Sequence, residues 1–532
     1  MKRIIPGVLA LMVLGPSTIL AADVTTKTKR SSTNKIEISG DIGLQGVFRE
    51  DSFDSVFPQR DLHNPGTWTR DHDEIIGVPV MNVSLEAKIK DELGAVLTLG
   101  LGPGSYGVDS PLLGRRESLV FLEEIYAYSK EFLGKYTNLY VGSKNVRIDL
   151  RGNGDEFFCN LLASENPFTG AVHTDPGLTG MPQSVSGIYA PAYDPADPTT
   201  PIAANLPNGS SGFGMHWNPY LGGNAWWNQY AGQSKNSAFA GVQLEWILSR
   251  DKTGLEPFRV DFAVGKVLET QMANTDTVFF VARPLATFDI TGTHKHKHFS
   301  RIQAVLSMIS GDDDTALGAL GFGFSIKPLP FLEVFAEYMG QFGEYTAAYR
   351  PDGKELIHQG AHAGYGGVRV EPEIKIEKQL SFTPFAEFSL WWIGGDRGDP
   401  HQSNHDYVSF EDVDTFLIME DNEFGLDVDS NYNAIKAEIG ARFETVELSV
   451  RFGTFHALFP PSHDVYGNPP DGGSSYRKLY GNELNIRLSW KVKECVKLGL
   501  GAGLLFDAFF WKDTLGAREE MSLGIAEIMV EF

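Results

Sequence analysis

The feature that most constrains this chain is a two-residue rhythm of apolar side chains. It recurs in segments of about ten residues and is clearest at the C-terminal end. Along Met521 to Phe532, one face carries Ser522, Gly524, Ala526, Ile528, Val530 and Phe532. The opposite face carries Glu527 and Glu531. Val446, Leu448, Val450 and Phe452 alternate with Glu447, Ser449, Arg451 and Gly453. Leu484, Ile486, Leu488 and Trp490 alternate with Asn485, Arg487 and Ser489, and Val496 to Phe506 repeats the pattern against Lys497, Gly499, Gly501 and Gly503. A strand places successive side chains on opposite faces, so nearly every segment has one purely apolar face and one mixed polar or glycine face. One such segment suits the edge of any sheet. Many in series suit a closed wall with hydrocarbon outside and water inside, because an open edge would leave backbone groups unpaired in lipid.

The same grammar runs upstream. Val83, Leu85, Ala87 and Ile89 alternate with Ser84, Glu86 and Lys88, and Leu93 to Leu101 returns after a tight turn at Asp91-Glu92. Strands are also expected at 35–48, 120–130, 136–151, 237–248, 258–267, 278–290, 299–308, 316–326, 331–339, 364–377 and 380–392. Phe424, Leu426 and Val428, set against Asp427 and Asp429, suggest one more. The expected fold is therefore all-β, an antiparallel transmembrane barrel of about 18 strands, with about 16 as the alternative. Short turns such as 491–494 alternate with long loops such as 459–477, as periplasmic turns and external loops do.

The ends and the middle of the chain are different. Lys2 and Arg3 precede the apolar stretch Ile4 to Leu20 and the small pair Ala21-Ala22, so residues 1–22 read as a signal peptide. Residues 23–34 are expected to be a flexible lead and 35–532 the barrel. Residues 152–234 are rich in Gly, Pro, Asn and Asp, with Trp217, Trp226 and Trp227. That is too long for a turn, and suits a long loop lying over or in the pore, or an ordinary surface excursion. No later run is apolar enough for a membrane helix. The 35 Phe, 18 Tyr and 9 Trp suit aromatic girdles at both interfaces of a barrel. A net charge of −23 disfavours nucleic acid as a partner. The two cysteines, Cys159 and Cys495, read as isolated small hydrophobes or as a periplasmic pair.

The segment Phe121 to Arg151 (FLEEIYAYSKEFLGKYTNLYVGSKNVRIDLR), with Glu423 to Phe459 and Asn482 to Trp511, resembles the hairpins of the alginate-export family of outer-membrane porins. In the early hairpin Ser143 follows Gly142 where that family usually has Arg. The resemblance implies an 18-stranded barrel and passive diffusion through an arginine-lined, anion-selective pore.

Read from the pattern, the inward stripe carries Arg147, Arg151, Arg259, Arg369, Arg451 and Arg487, interleaved with Asp149, Asp261, Glu371, Glu447 and Asp507. Opposed rows of guanidinium and carboxylate across a lumen would orient polar solutes and set ion selectivity without a covalent step. The same side chains could instead be ion pairs knitting the wall. His294, His296 and His298 alternate with lysines at a strand start and read as a wet rim. Asp312 to Asp314, and Asp412, Asp414, Glu420, Asp421 and Glu423, lack the spacing of a calcium loop and read as solvated loop faces. No nucleophile or metalloprotease motif is present, and no cofactor is expected. The expected function is diffusion of small polar or charged solutes, oligosaccharides among them, across the outer membrane. The alternative is a structural or adhesive barrel plugged by its long loops. The expected partners are outer-membrane lipid and those solutes, with monomer and trimer both open.

Overall fold

The computed structural model describes residues 34–49, 74–89, 92–101, 121–134, 136–144, 239–249, 257–267, 278–293, 298–310, 316–350, 353–375, 381–395, 415–420, 431–459, 477–515 and 518–532. It also describes short pieces at 59–60, 68–69, 193–194, 197–201, 295, 403–404 and 428. The expected signal peptide, the expected lead before residue 34 and residues 145–192 and 202–238, which hold most of the expected long-loop region at 152–234, lie outside the described residues.

Eighteen antiparallel strands form one closed wall. They are β1 (Asn34–Arg49), β2 (Glu74–Ile89), β3 (Leu93–Leu101), β4 (Phe121–Ser129), β5 (Thr137–Ser143) and β6 (Phe239–Ser249). Next come β7 (Phe258–Val267), β8 (Val278–Phe288), β9 (Ser300–Ser310), β10 (Ala316–Leu329), β11 (Leu332–Arg350) and β12 (Gly353–Val370). The last six are β13 (Ser381–Ile393), β14 (Tyr432–Phe443), β15 (Val446–Ala457), β16 (Leu479–Lys493), β17 (Val496–Phe506) and β18 (Met521–Glu531). Each strand pairs with its sequence neighbour. The seam closes between β18 and β1 in a register running from Asp41 opposite Glu531 to Arg49 opposite Leu523. The C-terminal residue completes that seam: Gly40 N donates to Phe532 O at 3.1 Å and Phe532 N to Gly40 O at 3.0 Å. Closure gives each of the eighteen strands a paired neighbour on both sides, as a barrel in lipid requires.

The two ends of the wall differ. At one end lie both chain termini of the barrel and tight connections such as Glu444-Thr445 and Glu494-Cys495. At the other lie the long connections, including those between β5 and β6 and between β13 and β14. A short helix, α1 (Phe509–Leu515), sits at this second end, with Phe510 and Trp511 packed on Tyr480.

The alternation is borne out residue by residue on the exterior. Ile435, Ile439, Leu448, Phe452, Ile486 and Ile528 all project from the wall as exposed apolar side chains. Phe258, Phe331, Phe443, Trp490 and Phe532 ring the short-turn end, and Phe280, Phe322, Tyr338, Trp392 and Phe452 lie further along their strands. Apolar bands of this kind between aromatic girdles match hydrocarbon with interfaces at either side. The barrel is a transmembrane one of the bacterial outer-membrane type.

Two expectations are corrected. The expected strands at 331–339 and 364–377 are in fact the long hairpin β11–β12, paired from Leu332 opposite Val370 to Arg350 opposite Gly353. Its outer half (GQFGEYTAAYR and GKELIHQGAHAG) hides the rhythm because glycine and alanine occupy both faces and His358 and His362 project outward. Of the expected strand at 424–429 only Val428 is described, and its N donates not to a wall strand but to Met419 O, 2.8 Å away inside the loop between β13 and β14; residues 421–427 and 429–430 lie outside the described residues.

Candidate functional site: the lumen wall and the segment seated on it

Arg369, Glu387, Glu438 and Arg451 stand on neighbouring strands at matching register positions, so they form one transverse row on the lumen face of β12 to β15. Arg369 Nη1 donates to Glu387 Oε2 at 3.1 Å and its Nε to Glu371 Oε2 at 3.0 Å. Arg451 Nε donates to Glu438 Oε1 at 2.8 Å. Nearer the short-turn end, Arg442 bridges Glu371 (2.6 Å) and Glu447 (2.7 Å). Period-two geometry puts all these side chains on one face, and antiparallel register brings opposite charges side by side.

A second charged arc crosses β2 to β8. Tyr128 Oη donates to Glu86 Oε1 at 2.7 Å, and Tyr140 Oη and Asn138 Nδ2 both donate to Glu245 Oε2 at 3.0 Å. Arg259 reaches Glu245 at 3.1 Å and Asp261 at 2.5 Å. Arg283 donates through Nε to Asp261 Oδ2 at 2.9 Å. Asp261 is 1% exposed, so two guanidiniums compensate a carboxylate taken almost wholly out of water.

Of the residues expected on the inward stripe, Arg259, Asp261, Arg369, Glu371, Arg451, Arg487 and Glu447 lie on the lumen side, in these two arcs or beside them. Arg147, Asp149 and Arg151 lie outside the described residues, as do His294, His296 and the aspartates 312–314. Asp507 is a correction. It lies past the end of β17 in the left-handed backbone region (φ 56°) and accepts from Asn482 Nδ2 at 3.0 Å, which makes it a rim residue. His298 is buried, with Nδ1 2.8 Å from Thr293 Oγ1, and does not belong to a wet rim. Arg283, Glu245, Glu387 and Glu438 were missed, although the alternation of YNAIKAEIGARF alone places Glu438 and Arg442 on one face.

The loop between β13 and β14 contributes a piece of the lumen that a reading of solvated loop faces misses. Residues 415–420 (Thr-Phe-Leu-Ile-Met-Glu) lie inside the barrel against β14 to β17, with Phe416 to Glu420 buried. Glycines on the lumen face make the space. A Cβ at Gly453 would lie 2.7 Å from the Phe416 ring, one at Gly501 3.3 Å from Leu417, and one at Gly503 3.3 Å from Ile418. The glycine face of β17 is thus a seat, and the apolar run within an acidic loop is what fills it. Phe416 also meets Phe455 edge to face at 5.2 Å.

Polar groups fix the segment at four points. The Glu483 carboxylate accepts from Ile418 N and Met419 N, both at 2.8 Å. Arg451 Nη1 (2.8 Å) and Arg487 Nη2 (3.4 Å) converge on the Thr415 carbonyl. Glu420 pairs with Lys436 and accepts from Tyr432 Oη at 2.7 Å. Lys436 Nζ also donates to Thr415 Oγ1 at 2.9 Å and stands 3.5 Å above the centre of the Trp391 ring. A buried ammonium between a carboxylate and an aromatic face has its charge compensated from both sides. Next to it the lumen is aromatic: Trp391 stacks on Tyr365 at 4.6 Å, and Tyr365 meets Phe335 at 5.7 Å.

At the rim, Arg477 makes a two-bond pair with Asp513 (2.6 and 2.7 Å), and those hydrogen bonds hold its guanidinium pKa above the ordinary value. Among the described residues no group of side chains could hold a metal ion.

No family model matches the chain, the alginate-export family included, and no curated protein matches it. Solved structures do. The outer membrane channel DcaP of Acinetobacter baumannii is 8% identical over 94% of this chain and 97% of that chain, with a TM-score of 0.36. OpdK, an outer membrane protein of Pseudomonas aeruginosa, is 10% identical over 93% and 99%, with a TM-score of 0.42. OccK8 (OprE) of the same organism is 8% identical over 93% and 98%, with a TM-score of 0.43.

Proposed function

We propose that this barrel is a channel for passive diffusion of small polar or charged solutes across the outer membrane. The observation that carries the reading is the row Arg369–Glu387–Glu438–Arg451, held at one level across four adjacent strands on the lumen face. Fixed charges of both signs at close quarters give a solute a transverse field to align with and a set of weak exchangeable contacts. Arg259, Asp261, Arg369, Glu371 and Glu447 act in this reading as pore-lining groups. Arg451 and Arg487 shape the lumen instead, because both hold the Thr415 carbonyl. That use of two arginines, with Glu371, Glu387 and Glu438 grouped around Arg369, supports a mixed-charge passage over an anion-selective one.

Reconstitution into planar bilayers tests the reading. Discrete conductance steps are expected, with a reversal potential in a salt gradient that moves when Arg369 is changed to Gln. Folded, inserted protein that carries no current would overturn it.

A further inference from the structure

The seat on β14 to β17 treats residues 415–420 as a bound ligand. The eighteen strands close through their own backbone ladders, and the pairing of β14 with β15, β15 with β16 and β16 with β17 runs past the seat without using the segment. The segment's ties to the wall pass through side chains: one carboxylate on two successive N–H groups, two guanidiniums on one carbonyl, and one ammonium on Thr415 and Glu420. Three apolar side chains enter hollows where the wall carries glycine. Backbone donors and acceptors read by charged side chains, with pockets for side chains between them, are the elements of peptide recognition.

We propose that this seat is a binding site for a short apolar peptide segment and that residues 415–420 occupy it as a tethered blocker of the lumen. Tethering gives the segment a high effective concentration at the seat, so modest contacts suffice to hold it there. Glu483 is the central recognition group, since its carboxylate engages two successive backbone donors of the segment. The blocking consequence rests on the channel reading above; the binding itself does not.

The test replaces residues 415–420 by a Gly/Ser stretch of equal length. The probe is a fluorescent, end-capped peptide of the sequence Thr-Phe-Leu-Ile-Met-Glu. The replaced variant should conduct several-fold more than the parent protein. It should bind the peptide saturably in detergent, and added peptide should return the conductance to the parent level, whereas a scrambled peptide should do neither. Adding Glu483→Gln to the replaced variant should weaken peptide binding about tenfold, because one acceptor oxygen becomes an NH2 donor and the other loses its charge assistance. Two results would overturn the proposal: a folded replaced variant that binds no peptide, or one that binds it no better than the scrambled control. Saturable peptide binding without current in either protein would instead remove the channel reading and leave the site standing.

Discussion

Two stretches of the lumen wall solve the same packing problem in opposite ways. On β6 to β8 the wall fills its own inner face: Glu245, Arg259, Asp261 and Arg283 reach across neighbouring strands and neutralise one another. On β15 and β17 it withholds side chains at Gly453, Gly501 and Gly503, and a piece of a distant loop supplies the missing volume. Both faces look alike in the sequence, as polar or small residues alternating with apolar ones. A glycine face in a barrel strand therefore marks either free lumen or a seat, and the two are told apart only by asking what lies opposite.

The largest effect is expected at Asp261. Asp261→Ala takes from Arg259 and Arg283 the buried carboxylate they share, a loss worth about 3–5 kcal/mol for buried pairs. The barrel's heat-induced unfolding, followed by its mobility shift on a detergent gel, should move to clearly lower temperature. An unchanged midpoint would show that the pair knits nothing. Next in size is Gly453→Leu. The added side chain competes with Phe416 for one space, and overpacking of this kind costs about 1–3 kcal/mol. That strain is expected to fall on the seated segment, so a Leu417→Cys reporter should become reactive to a water-soluble maleimide while the barrel stays folded. A reporter as unreactive as in the parent would mean that the wall yields instead.

Glu387→Gln is a gentler probe. It keeps an acceptor for Arg369 and removes one lumen carboxylate, so the reversal potential should shift toward anions by a modest amount without loss of folded protein. The smallest effect is expected for Arg477→Ala. Exposed pairs contribute about 0.2–1 kcal/mol at most, and the loss should vanish in high salt. A large, salt-independent effect there would place that rim pair in a role that exposure does not suggest.

The barrel was legible because lipid imposes one rule on every strand, and Ile528, Leu448 and Ile486 obey it independently of their neighbours. The hairpin β11–β12 was half missed where glycine, alanine and two histidines blur that rule. The inward direction of Arg259, Arg369 and Arg451 was legible too, but their partners Glu245, Glu387 and Glu438 were not, since register rather than spacing brings strands together. The segment 415–420 carried a faint signal, an apolar run in an acidic loop, with nothing local to say where it would go.

By itself the sequence determined the closed, lipid-facing wall and the inward direction of its charged stripe, because side-chain direction along a strand is set by backbone geometry one residue at a time. Only the tertiary structure decided which charges meet, and that a loop between β13 and β14 lies on the glycine face of β17. Those outcomes depend on strand register and on the return of a distant segment through space, and no local period encodes either.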